Sequence, residues 1–300
     1  MRWDDFRRSD NVEDRRGQGP AAVARRGGLG IGTLVVLGLI AWGLGIDPRL
    51  LIGGAELLSS RHAANQTAAT GQVSADAGTP NDSMGQFVAS VLGDTEDRWS
   101  EIFNSMGKTY QPPKLVIFSG ATASACGTAQ SAMGPFYCPN DRRVYLDTAF
   151  FHEMETRLQG CQAGSKACQF SQAYVIAHEI GHHVQNLLGI LPQVQALQAR
   201  AGQAEANQVQ VRVELQADCL AGVWANRSQN KWRFLEPGDI EAALQTATAI
   251  GDDTLQRRSQ GYVVPDAFTH GSAEQRKRWF VTGLKSGDMK SCDTFQNASL

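Results

Sequence analysis

The run His178-Glu179-Ile180-Gly181-His182 carries the strongest chemical signal in this chain. On a helix, residues four apart lie about 40° apart around the axis and one turn apart along it, so both imidazoles can reach one metal ion. Glu179 is rotated by about 100° and points beside the metal, where a bound water sits and a general base is needed. Two histidines leave a tetrahedral zinc one protein ligand short if a water is to keep the fourth position. Glu214 is the candidate for that ligand. Asp218, one turn further on, is placed to accept a hydrogen bond from the far nitrogen of a ligand histidine.

Groups that finish the chemistry are harder to name. Tyr262 and His270 share the stretch before a helix that Ser272 caps, with Gln275 three residues later. Either can donate to an oxyanion; for His270 a structural role fits the pattern equally well. Arg276 is placed to pair with Asp218, or to remain solvated. His183 is turned away from His182 and reads as a rim or surface residue. His152 and Glu153 lack a second histidine four residues on and read as structural.

These residues need two helices. Tyr174, Ile176, Ala177, Ile180, Val184 and Leu187 recur at helical spacing, and Gly189 and Pro192 end the run. Val209, Val213, Ala217, Leu220 and Trp224 mark the buried face of a second helix, which returns antiparallel to bring Glu214 to the histidines. Gly181 costs helix propensity, which implies a close approach by another segment. Upstream, Phe87, Val88, Val91, Leu92, Trp99, Ile102 and Phe103 give another helix. Lys114–Phe118 reads as a strand, and 135–138 with 143–147 as a hairpin turning at Pro139-Asn140-Asp141. The fold class is α+β, a small sheet followed by a mainly helical half.

With 300 residues, 42% apolar and a net charge of −2, the chain has a core and no electrostatic reason to bind nucleic acid. Residues 1–26 carry seven arginines and five acids, and the following 20 residues, 27–46, carry no charge. That length suits one transmembrane helix, and the arginines place the preceding arm in the cytoplasm. Residues 47–83, rich in small polar side chains and including His62, read as a flexible tether. The domain then spans 84–300, outside the cytoplasmic membrane. All six cysteines follow the apolar run and none forms a C-x-x-C pair, which favours disulfides. Proximity suggests Cys126 with Cys138, Cys161 with Cys168, and Cys219 with Cys292.

The segments HEIGHHVQ (178–185) and ELQADCLAG (214–222) resemble the putative neutral zinc metallopeptidase family of bacteria, a membrane-anchored group of gluzincin type. GPFYCPNDRRVYLDTAFF (134–151) and THGSAEQR (269–276) carry the same resemblance, which covers residues 84 to 292 and leaves the arm and tether without family signal. It implies a zincin-like fold, one zinc ion on His178, His182 and Glu214, and a catalytic Glu179. In such folds an edge strand aligns the substrate; Lys114–Phe118 and Arg143–Asp147 are the candidates. The leading expectation is an extracytoplasmic zinc endopeptidase acting on proteins or peptides. Two others stand beside it: a non-catalytic zinc-stabilised binding module, and a zinc amidase acting on cell-wall peptides.

Overall fold

The computed structural model describes residues 1–17 and 80–296. The expected transmembrane run 27–46 and nearly all of the expected tether lie outside those residues. Among the described residues no helix is long and apolar enough to cross a membrane.

The chain begins with a short strand, β1 (Val12–Asp14). Helix α1 (Ser83–Ser105) follows, its first turn capped by the Asp82 side chain, which accepts from the Gly85 amide. Then come β2 (Lys114–Phe118), the hairpin β3 (Ala121–Ser124) and β4 (Gly127–Gln130), β5 (Phe136–Cys138) and β6 (Arg143–Asp147). The rest is helical: α2 (Ala149–Thr156), α3 (Ala167–Leu187), α4 (Ile190–Gln198), α5 (Gln203–Trp232), α6 (Asp239–Ala249), α7 (Asp252–Gln260) and α8 (Ala273–Ser286). The α+β architecture matches the expectation.

One sheet has the order β1-β2-β6-β5, with β1, β2 and β6 parallel and β5 antiparallel to β6. Side chains alternate across it as the pleat requires. Leu115, Ile117, Val144 and Leu146 face the main core, while Val116, Phe118 and Tyr145 face a smaller cluster with Ala129 of the β3–β4 hairpin. On the helical side Phe170, Trp224, Phe234 and Phe280 form an aromatic cluster that joins α3, α5 and α8.

Two sequence expectations are corrected. Residues 1–17, read as a separate cytoplasmic arm, belong to the folded unit: β1 pairs with β2, and Phe6 is buried beside Phe234. The candidate edge strands Lys114–Phe118 and Arg143–Asp147 are interior, each paired on both sides. Among the described residues the edges of this sheet are β1 and β5.

The three disulfides join Cys126 to Cys138, Cys161 to Cys168 and Cys219 to Cys292, the pairing that proximity suggested. The first ties the β3–β4 turn to β5, and the last ties α5 to the segment after α8.

Candidate metal centre

Helices α3 and α5 run antiparallel, because contacts that climb along one descend along the other. Tyr174 meets Asp218, Gly181 meets Ala217 and Gln185 meets Val213. The close approach implied by Gly181 is real: a Cβ there would stand 3.0 Å from the Ala217 carbonyl oxygen and 3.1 Å from its Cα. Glycine therefore lets the α5 backbone come near enough for Glu214 to meet both histidines.

The donor atoms of His178, His182 and Glu214 all lie within 4.8 Å of one another. Glu214 Oε2 is 3.2 Å from His178 Nε2 and 3.4 Å from His182 Nε2. Ligands at ordinary zinc distances around a tetrahedron stand about 3.3 Å apart, so these separations fit a shared metal. Two imidazole nitrogens and a carboxylate oxygen, all nearly buried, are the donor set for zinc with one position left open.

Both rings are turned by partners on their far side. His178 Nδ1 lies 2.8 Å from Asp218 Oδ1, and His182 Nδ1 lies 2.9 Å from Gln185 Oε1. Protonated there, each imidazole donates outward and offers Nε2 to the metal position. Asp218 is fully buried and also accepts from Tyr174 Oη at 2.5 Å and from Arg276 Nε and Nη2 at 2.8 and 3.0 Å. The pairing considered for Arg276 is present. Gln185 in turn donates to the Val213 carbonyl at 2.8 Å, which fixes α3 to α5 beside the site.

The electrostatics favour a cation. Burial opposes charge on the imidazoles, but Asp218 and Glu214 outweigh it, raising His178 to about 10 and His182 above its usual value. Against the same desolvation, the two histidines hold Glu214 well below the ordinary carboxylate range, and Arg276 with His178 does the same for Asp218. A field that draws protons onto both rings also draws a divalent ion.

The site opens into a cleft of about 590 Å³, within the usual range for ligand sites. Glu179, 7% exposed, lines it with His178, His182 and Glu214. Phe136 and Tyr137 of β5 form one wall, Leu191 and Val194 of α4 another, and Leu255 with His270 a third. Among the described residues β5 pairs only with β6, and its Phe136 and Tyr137 line the cleft. Tyr137 pins that edge to the metal helix: its hydroxyl accepts from Asn186 Nδ2 at 2.9 Å and donates to His183 Nδ1 at 3.1 Å. His183 is 1% exposed and gives its Nε2 proton to the Gln111 carbonyl at 2.7 Å, so it is a buried strut and not a rim residue. Burial pulls its pKa down to about 4, which keeps it neutral.

His270 reaches the cleft and Tyr262 does not. Tyr262 is 62% exposed and lines no part of the cavity, which removes it from the candidate donors. His270 has a partner that sequence reading missed: Asp252, at the first position of α7. Its Oδ1 lies 3.2 Å from His270 Nδ1, while its Oδ2 accepts the amides of Thr269, His270 and Gly271. Burial alone lowers the His270 pKa; the bond to Asp252 and the charge of Glu214 reverse that and raise it.

A family model described as "Putative neutral zinc metallopeptidase" matches residues 1–295. The chain is 47% identical to the uncharacterized protein YpfJ of Escherichia coli (strain K12), over 98% of this chain and 99% of that one. It is 42% identical to the uncharacterized protein Rv2575 of Mycobacterium tuberculosis (strain ATCC 25618 / H37Rv), over 72% of this chain and 73% of that one. No solved structure matches. The similarity therefore extends through the N-terminal residues that carried no recognisable signal.

Proposed function

The chain belongs to the putative neutral zinc metallopeptidase family, and on that premise we propose that it is a zinc-dependent endopeptidase with a zincin-like catalytic site. The observation that carries this reading is the convergence of His178, His182 and Glu214 on one point, with Glu179 beside it in an open cleft. A zinc ion bound there supplies a Lewis acid and brings the pKa of a water in its open position to about 7. Glu179 takes the proton given up during attack on the peptide carbonyl and passes it to the departing amine. His270, oriented by Asp252, donates to the carbonyl oxygen as it gains negative charge. The outer edge of β5 pairs with an extended peptide, which favours unfolded chains and loops over folded protein.

Attachment to the cytoplasmic membrane through residues 27–46, with the domain on its outer side, is part of the proposal. Its support is the 20-residue uncharged run and the three disulfides, which form in oxidising compartments.

The test is hydrolysis by the purified full chain, zinc-loaded, of casein and separately of cell-wall peptide fragments. The proposal expects casein to be cut, the activity to vanish on chelation and to return with zinc. Cleavage of the cell-wall fragments alone would make it an amidase, and a zinc-replete chain that cuts neither would leave a binding module.

A further inference from the structure

Residues 1–16 contact the domain at several points from one end to the other. The Met1 amino group lies 3.0 Å from Asp239, the Arg2 amide donates to the Phe234 carbonyl at 2.8 Å, and the Trp3 ring meets Phe87 edge-on. At Gly93 of α1 a Cβ would stand 2.0 Å from the Arg7 carbonyl oxygen, so glycine is required for the arm to lie where it does. Glu96, 4% exposed, accepts from Ser9 Oγ at 2.6 Å and from Asn11 Nδ2 and Arg7 Nη2, each at 2.7 Å. β1 then joins the sheet with Val12 opposite Leu115. Beyond it Arg16 pairs with Asp82, the cap of α1. The polypeptide therefore leaves the folded unit and returns to it at one place.

This arrangement conflicts with a single membrane crossing between the two points. One crossing puts the segments before and after it on opposite sides, where β1 cannot pair with β2. The 20-residue uncharged run is long enough for one crossing and too short for two. Residues 47–79 contain Asp47, Arg49, Glu56, Arg61 and Asp76, and no second uncharged run of that length. Charge pairing in the arm removes part of the case for retaining it in the cytoplasm: Arg7, Arg15 and Arg16 each contact a carboxylate.

We propose that residues 1–17 and 80–296 occupy the same side of the membrane, so that the apolar run attaches the protein without carrying the chain between compartments. This rests on membrane attachment through residues 27–46 and is independent of peptidase activity.

The experiment uses the full chain in bacterial cells with one added thiol, at Asp5→Cys in the arm or Lys108→Cys after α1, both exposed positions. No native cysteine is free, so the unsubstituted chain is the unlabelled control. A membrane-impermeant maleimide is applied to spheroplasts before and after lysis. The proposal expects equal labelling of the two positions in each condition, with the protein in the membrane fraction. Labelling of position 108 in intact spheroplasts, with position 5 protected until lysis, would overturn it in favour of a single crossing. Recovery of the chain in the soluble fraction would overturn the attachment on which it rests. Casein cleavage by both variants, assayed in parallel, reports separately on the proposed activity.

Discussion

At the scale of single residues, the site depends on the groups that stand behind its ligands. Asp218 links Tyr174, His178 and Arg276 in one buried network. Asp218→Asn should weaken zinc binding by roughly 10- to 100-fold, the usual cost of losing a ligand's hydrogen-bond partner. Competition with a chromogenic chelator measures it, and an unchanged affinity would remove Asp218 from the design. Asp252 offers a different test, because it is far from the metal in sequence and acts through His270. The bond to Asp252 raises the His270 pKa, so the imidazolium persists to higher pH than in its absence. In Asp252→Asn that support is gone and the pKa falls. The alkaline limb of kcat/KM should therefore move to lower pH, with zinc content unchanged. A limb that stays in place would separate His270 from catalysis.

At the scale of elements, the crossing of α3 and α5 at Gly181 decides whether Glu214 reaches the metal. Gly181→Val places atoms against the Ala217 backbone, where the nearest contact for a Cβ is already 3.0 Å. The strain should cost roughly 1–3 kcal/mol and push the helices apart. Urea unfolding should show that loss, together with lower zinc occupancy than wild type; full occupancy would mean the crossing has slack. Both helices were legible in the sequence because their apolar periodicity is strong, and Gly181 announced the contact between them. The β5–β6 hairpin was legible from its turn residues. Order across the sheet could not be read: β2 and β6 look like edge candidates until the arm supplies β1 and the hairpin supplies β5. His183 reads as a rim residue for a similar reason, since α3 is buried nearly all round and its outer face meets Tyr110 and Tyr137. Asp252 belongs to no motif, and only tertiary structure brings it to His270.

At the scale of the whole molecule, stability comes from long-range ties that composition conceals. Ten of the first 17 side chains are charged, which reads as a solvated arm, yet its acids and arginines pair across the domain. Cys219–Cys292 spans 73 residues and Cys126–Cys138 spans 12. By loop-closure entropy the first should contribute roughly 4 kcal/mol and the second nearer 3 kcal/mol. Replacing each pair by alanine, with zinc held constant, should lower the urea midpoint more for Cys219–Cys292. The reverse order would mean that strain or residual unfolded structure outweighs chain entropy.

The central claim is that Glu179 performs chemistry at a metal held by its neighbours. Zinc content and peptide cleavage of the full chain, measured side by side for wild type and Glu179→Gln, test it most directly. The account predicts equal zinc in both and a loss of cleavage of about 10²- to 10⁴-fold in the variant, the usual contribution of a general base. Equal cleavage by the two proteins at equal zinc would contradict it.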